Sequence, residues 1–334
     1  MAFQDYSLIQ APMAGGLSTA DVVAGASRAG ALGSVGAGYL SGDAIMAAAE
    51  GVRAAGGDAF AINLFIPAER DATDAEWRAA LKALSPCYRQ AGVPVPDDFP
   101  PLPDFREQFE AMLEARPAVF SWTFGRLPKS MMAACRARGI TLVGTATHRD
   151  EALALAGDGV DGIVLQGEEA GGHRGGADPQ GEGQPLDALL GACQDIATPL
   201  IAAGGLMDGA DVARVMAAGA ATGQLGTAFL RCPEAGTAEG WRQALADAGP
   251  DATAVTRAVS GRWARGIANA WMDGRAPTEV APYPDQHRLT SPLRKAAGVE
   301  WKSLWAGTGA HRSRALPVEE LVQVIEEERR AAGR

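Results

Sequence analysis

Residues 198–230 read TPLIAAGGLMDGADVARVMAAGAATGQLGTAFL. A short apolar run (Leu200–Ala203) breaks at two glycines. A helical stretch with Val212, Val215 and Met216 on one face follows and stops at Gly219, and a second short run begins at Thr222. Strand, loop, helix and strand within one such stretch is a parallel βαβ unit, because parallel neighbours need a crossover and a helix is the usual one.

Working outward, the same unit recurs. YSLIQAPMAGG (6–16) reads as a strand ending in a loop, and TADVVAGASRAG (19–30) as a helix capped by Thr19 and closed by Gly30. ALGSVG and GDAIMAAAEGVRAAG follow as strand and helix, then DAFAINLF as a strand whose functional end is Asn63. AVFSWTFG, ITLVGTAT and VDGIVLQG add strands, with PKSMMAACRARG, EALALAGDG and PLDALLGACQDI as helices. The strand-like runs are short and centred on valine or isoleucine, as strands buried on both faces tend to be. A doubly wound sheet would satisfy the same alternation. Eight units within the first 230 residues favour a closed (β/α)8 barrel.

Two regions break the repeat. SPCYRQAGVPVPDDFPPLPDFREQFEAMLEARP, at about 85–117, reads as an insertion after the third strand. Residues 231–290, with EGWRQALADAG and GRWARGIANAWMDG, read as a small, mainly helical domain over the barrel mouth. Residues 291–334 form a segment returning to the barrel and ending in an amphipathic helix.

The chain has 334 residues, 47% hydrophobic, with a formal net charge of −10 and pI near 5.0. The acidic balance argues against nucleic acid or an anionic membrane as partner. No apolar run approaches the roughly 18 residues of a membrane span, and the N-terminus lacks the pattern of a signal peptide. Cys87, Cys135, Cys193 and Cys232 are widely spaced without a C-x-x-C pair, which suggests reduced thiols in a cytoplasmic protein. The four histidines, His148, His173, His287 and His311, lack metal-ligand spacing, so no metal is expected. Nucleophile-elbow, P-loop and dinucleotide glycine motifs are missing.

In a barrel, function gathers at the C-terminal ends of the strands. The glycines of AAGGL (202–206) and GQLGTAFL (223–230) follow the seventh and eighth strands. They make tight turns, or they expose backbone N–H groups to a phosphate, with the Thr227 hydroxyl adding a donor. After the sixth strand comes QGEEAGGHRGG (166–176). Gly171, Gly172, Gly175 and Gly176 let a flat ligand approach the backbone. Gln166 offers a donor and an acceptor to a heteroaromatic edge. His173 is either a solvent-exposed loop residue or the one group there that exchanges protons near neutral pH.

Taken together, QAPMAGG, INLF, QGEEAGGHRGG, AAGGLMDG, GQLGTAFL, SGRWARGIAN and LWAGTGAH resemble the nitronate monooxygenase family, formerly 2-nitropropane dioxygenases. The resemblance implies an FMN-dependent barrel that oxidises alkyl nitronates, such as propionate 3-nitronate, with O2 to a carbonyl compound and nitrite. It implies that Pro12, Met13 and Ala14 line the flavin, that Asn63 reaches its polar edge, and that Gln166, Gly171 and Gly172 hold the ring and side chain. Gly204, Gly205, Gln224, Leu225, Gly226 and Thr227 would hold the phosphate, and His173 falls on the family's active-site histidine. The small-molecule substrate and O2 are then the only partners implied, in a monomer or homodimer. One departure stands out. Where many members carry a second histidine in a stretch like S-F-H-F-G, this chain has SWTFG with Thr123. Tyr283, His287 and His148 are candidates to line the substrate pocket in its place. Two other readings are an FMN-dependent NAD(P)H oxidoreductase, similar to enoyl-ACP or quinone reductases, and a flavin-binding protein without turnover.

Overall fold

The computed structural model describes residues 3–333 apart from Glu69 and Pro100. The first half-barrel runs β1 (Leu8–Gln10), α1 (Ala20–Arg28), β2 (Gly33–Gly36), α2 (Gly42–Ala54), β3 (Phe60–Phe65), α3 (Asp74–Gln90), α4 (Phe105–Ala115) and β4 (Val119–Thr123). The second continues with α5 (Lys129–Arg136), β5 (Thr141–Ala146), α6 (Arg149–Asp158), β6 (Gly162–Gln166) and β7 (Gly172–His173). Next come α7 (Leu186–Cys193), β8 (Leu200–Ala203), α8 (Gly209–Ala217) and β9 (Thr222–Leu225). The chain ends with α9 (Glu239–Ala246), β10 (Thr253–Thr256), β11 (Ala264–Ile267), α10 (Asp285–Ala296) and α11 (Val318–Ala332).

Eight strands pair in parallel in the order β1-β9-β8-β6-β5-β4-β3-β2. A parallel bridge between Ile9 and Leu32 joins the two ends. Gln10 N–H donates to the Leu32 carbonyl at 2.9 Å and Leu32 N–H to that of Leu8 at 3.1 Å, so the sheet closes into a (β/α)8 barrel. Strand alternation sorts the side chains. Ile9, Ala61, Val119, Val143, Val164 and Ile201 fill the barrel interior, with Phe3 and Tyr6 beneath them. Leu8, Ile62, Phe120, Leu142, Ile163 and Ala202 face the helices. Nearer the C-terminal ends the inward positions of five strands turn polar: Asn63, Ser121, Thr145, Gln166 and Gln224. The C-terminal helix α11 buries Val318, Leu321, Val322 and Ile325, packing on α8 and α1.

The domain boundaries differ from the sequence-based ones. Helix α4 packs on α2 and β3 and is the barrel's own helix between β3 and β4. The extra element is α3, which opens at a Thr73–Glu76 capping box and turns Ala80, Leu84, Cys87 and Tyr88 away from the barrel. These pack with Ala258, Trp271, Leu289, Leu293 and Trp301 in a second core. Tyr88 Oη donates to the Leu289 carbonyl at 2.7 Å and Trp271 Nε1–H to that of Trp301 at 2.8 Å. The expected insertion at 85–117 therefore becomes α3 with its proline-rich return, and the small domain reaches α10 and Trp301, past residue 290. Its regular structure is mostly α3, α9 and α10. It also carries a three-stranded antiparallel sheet, β10-β11-β7, in which TAVT pairs with ARGI and ARGI in turn pairs with two residues of the loop after β6.

All four cysteines are buried and unpaired. Among the described residues no helix is long and apolar enough to cross a membrane.

Candidate active site

A cavity with about 1250 Å3 of empty space, counted with its open mouth, sits at the C-terminal ends of the strands. Its first wall is the loop after β1, where Ala11, Pro12, Met13 and Ala14 line it. Ser18 Oγ fixes this loop by accepting from Met13 N–H at 3.0 Å and from Gln10 Nε2 at 3.1 Å. Gln10 is fully buried and also accepts from Ser34 N–H at 2.9 Å, so the loop is braced from inside the sheet. Asn63 is held by donating from Nδ2 to Ser121 Oγ at 2.9 Å.

At one end the lining is almost all backbone. Gly204 and Gly205 adopt φ of +124° and +71°, a left-handed path that only glycine takes without strain. Gly226 and Thr227 follow β9, and the segment Gly307–Gly309 closes the end. Gly307 N–H donates to Thr227 Oγ1 at 2.9 Å, which leaves the threonine proton for a ligand. Side chains are excluded from this seam. A Cβ on Gly171 would lie 2.6 Å from Ala306 C and Gly307 N, and one on Gly307 would lie 2.5 Å from the Glu169 carbonyl oxygen. Concave backbone of this kind suits a phosphate monoester.

At the other end stands His173. Its strand β7 pairs with β11, Ala264 opposite His173, so a loop residue is held as part of a sheet. Gln166 contributes to this hold. Its Nε2 donates to the His173 carbonyl at 3.1 Å and its Oε1 accepts from Gly175 N–H at 2.7 Å. Part of the amide expected to serve a ring edge thus staples the loop. The imidazole Nε2 lies 2.8 Å from Oγ of the buried Ser260. Phe124, Tyr283 and Trp305 surround the ring at centroid distances of 5.9, 5.9 and 5.7 Å. Burial, followed by the positive charges of Arg262 and Arg294, pushes its pKa down from 6.5 to about 3. His173 is therefore neutral throughout the physiological range.

Thr123 lines the cavity, and its hydroxyl has no hydrogen-bond partner among the described residues. The next residue, Phe124, has φ of +75°, uncommon for a bulky side chain, and is held there by its N–H donating to the Gly175 carbonyl at 2.7 Å. Tyr283 stands against His173 and His287 stacks on Tyr39 at 4.3 Å, but Tyr39, not His287 or Tyr283, lines the cavity. Two expected residues lie elsewhere. His148 occupies the position before α6, outside the cavity. Leu225 points into the helix layer, because strand alternation gives the inward position to Gln224. Sequence reasoning missed Tyr39, Phe65, Phe124 and Trp305 on the wall and Ser260, Arg262 and Arg294 behind it. Ser260 and Arg262 lie inside the quoted SGRWARG run; Tyr39 and Arg294 carried no signal.

Among the described residues no group of histidine, cysteine or carboxylate side chains is arranged to hold a metal. The donor set fits a flavin nucleotide instead, with neutral backbone at the phosphate end, an apolar first wall and amides at the ring edge.

Comparison with known proteins agrees. The family model described as nitronate monooxygenase matches residues 2–328. A nitronate monooxygenase of Paraburkholderia phytofirmans is 38% identical, the alignment covering 97% of this chain and 92% of that one. Among solved structures, a nitroalkane oxidase from Streptomyces ansochromogenes superposes with a TM-score of 0.92 at 34% identity, covering 98% of this chain and 96% of the other. FabK from Thermotoga maritima shares the fold at a TM-score of 0.73 and 20% identity, covering 98% and 93%. With the whole barrel, its mouth and its extra sheet accounted for, the chain belongs to the nitronate monooxygenase family of flavin-dependent oxidoreductases.

Proposed function

We propose that this chain binds FMN and oxidises alkyl nitronates, propionate 3-nitronate among them, with O2 to a carbonyl compound and nitrite, in the cytoplasm. The observation that carries this reading is the pairing, in one cavity, of a backbone phosphate cradle with a neutral imidazole pinned to Ser260. Gly204, Gly205, Gly226 and Thr227 would hold the phosphate, Thr227 donating its free proton. Pro12, Met13 and Ala14 would pack on the ring system, and Asn63, Gln166, Gly171, Gly172 and Gln224 would approach its polar edge and side chain. Bound there, FMN supplies the electron acceptance and oxygen chemistry that side chains lack.

His173 supplies position. The Ser260 hydroxyl, 2.8 Å from Nε2, both donates and accepts, so it fixes the ring's orientation in either neutral tautomer and leaves Nδ1 as the other polar atom of the ring. A neutral ring does not protonate the nitronate carbon, so the substrate stays in its electron-rich form. Phe124, Tyr283 and Trp305 keep bulk water from the ring.

The test is anaerobic absorbance spectroscopy of the purified yellow protein, mixed separately with propionate 3-nitronate and with NADH or NADPH, plus nitrite release in air. Flavin reduction by the nitronate, with nitrite formed and no response to pyridine nucleotide, is expected. Rapid bleaching by NAD(P)H without a nitronate response would overturn the proposal.

A further inference from the structure

Two arginines without a counter-ion stand behind the His173 end of the cavity, Arg262 one side-chain layer back and Arg294 two. Arg262 is 4% exposed. Its guanidinium carbon lies 4.1 Å from the Phe124 ring centroid, its Nη2 donates to the Gly176 and Ala177 carbonyls, and its Nε has no hydrogen-bond partner among the described residues. Arg294 contacts His287 Nδ1 and donates to its carbonyl, both at 3.2 Å, and donates to Thr290 and Ser303, all neutral partners. Neither pairs with a carboxylate within 4 Å among the described residues, whereas twelve ion pairs form elsewhere, Arg312 and Arg314 finding acids at the rim of the same barrel. The acids whose charges reach Arg262 are Asp178 and Glu151, and Glu151 is committed to backbone N–H groups of Thr147 and Ala177. The other groups facing the pair are the uncharged Tyr39, Tyr88, Tyr283, His173 and His287.

A buried charge without a partner is costly, and a fold that keeps Arg262 so, with the half-buried Arg294 near the same cavity, has left the counter-charge to a ligand. We infer that Arg262 and Arg294 are positioning residues that make the His173 end of the cavity selective for the anionic form of its ligand over the uncharged isostere. This rests on the proposed nitronate function only for the identity of the anion. Neither guanidinium lines the cavity, so the selectivity acts through the field, across Phe124 from one side and across His287 and Tyr39 from the other.

The field predicts its own size. A unit charge roughly 9 Å from the ligand, at an effective dielectric of about 20, changes anion affinity by about twentyfold unscreened, and by about tenfold once salt screens part of it.

The test uses the flavin-loaded protein and two inert probes of one shape, propanoate and propanamide, titrated at fixed ionic strength and followed by flavin absorbance. Arg262→Met and Arg294→Met are each compared with the charge-keeping Arg262→Lys and Arg294→Lys. The inference expects each Met variant to weaken propanoate about tenfold, to leave propanamide within about twofold, and each Lys variant to recover most of the loss. Arg294 is only half-buried, so its variants keep the test alive should those of Arg262 not fold. Parallel weakening of both probes, unchanged propanoate affinity, or absence of rescue by lysine would overturn it. Nitronate turnover is assayed separately. A protein inactive on nitronates that keeps the propanoate-over-propanamide split refutes the proposed reaction and supports the charge selectivity.

Discussion

Gly171→Ala tests how the cavity is built. A methyl group at Gly171 meets Ala306 C and Gly307 N at 2.6 Å, against the 3.4–4 Å of ordinary contact, so about 0.8 Å of opening is required. Both opposing atoms are backbone and have no rotamer to change. The seam is also tied, because Thr308 N–H donates to the Glu169 carbonyl at 3.0 Å and Gly307 N–H to Thr227 Oγ1 at 2.9 Å. Overpacking of this kind costs about 1–3 kcal/mol. With an unfolding entropy of about 2.1 cal/mol/K per residue over this length, the apoprotein Tm should fall by roughly 1.5–4 °C. The larger effect is local, since displacing 306–309 moves the cradle, and flavin retention should weaken by tenfold or more. Gly139→Ala is the control. Gly139 has φ of +71° in a turn after α5 with nothing within 4 Å of a Cβ, so it costs about 1 kcal/mol in stability without touching the cavity. Both variants are assayed for apo Tm by calorimetry and for bound flavin after gel filtration. If Gly171→Ala keeps flavin as Gly139→Ala does, the backbone cradle is not where the cofactor sits.

Three further outcomes follow from named contacts. Ser260→Ala removes the 2.8 Å partner of His173; at about 1 kcal/mol for a neutral hydrogen bond, kcat/KM for a nitronate should fall roughly fivefold with Tm nearly unchanged, and an unchanged kcat/KM would refute the positioning role. Because the folded-state pKa of His173 is depressed to about 3, the kcat/KM profile should show no His173 inflection between pH 5 and 8. The same shift makes its contribution to stability complete above pH 6.5 and progressively lost as pH falls toward 3; an inflection near 6.5 that vanishes in His173→Ala would contradict this. Asp285→Asn breaks a buried group that accepts from Ala72 N–H at 2.6 Å and pairs with Arg288 at 3.0 Å. It should cost about 3 kcal/mol, seen as a Tm drop of roughly 4 °C, while the absorbance spectrum of bound flavin stays unchanged.

The sequence by itself determined the barrel, because each βα unit is local. The short apolar run GIVLQ, buried on both faces, the helical spacing in DVARVMA and the glycines between them are each read within a short window. The same locality made the glycine loops and His173 legible, since they fall at strand ends whatever the wider topology. It also explains the misreadings. Leu225 and Gln224 differ only in which way a strand faces, and α3 and α4 are both amphipathic helices whose partners the sequence does not name. The small domain showed in the sequence only as a break in the repeat; its assembly was decided by tertiary structure. Its sheet takes two residues of the loop after β6 and pairs them with β11 across 91 positions, Ala264 opposite His173, a register no local period encodes. So were Tyr39 and the two unpaired arginines. Whether a guanidinium is a solvated surface charge or a buried one with no counter-ion depends on what packs around it, and for Arg262 that is Phe124, which follows β4 and is 138 positions away in the chain.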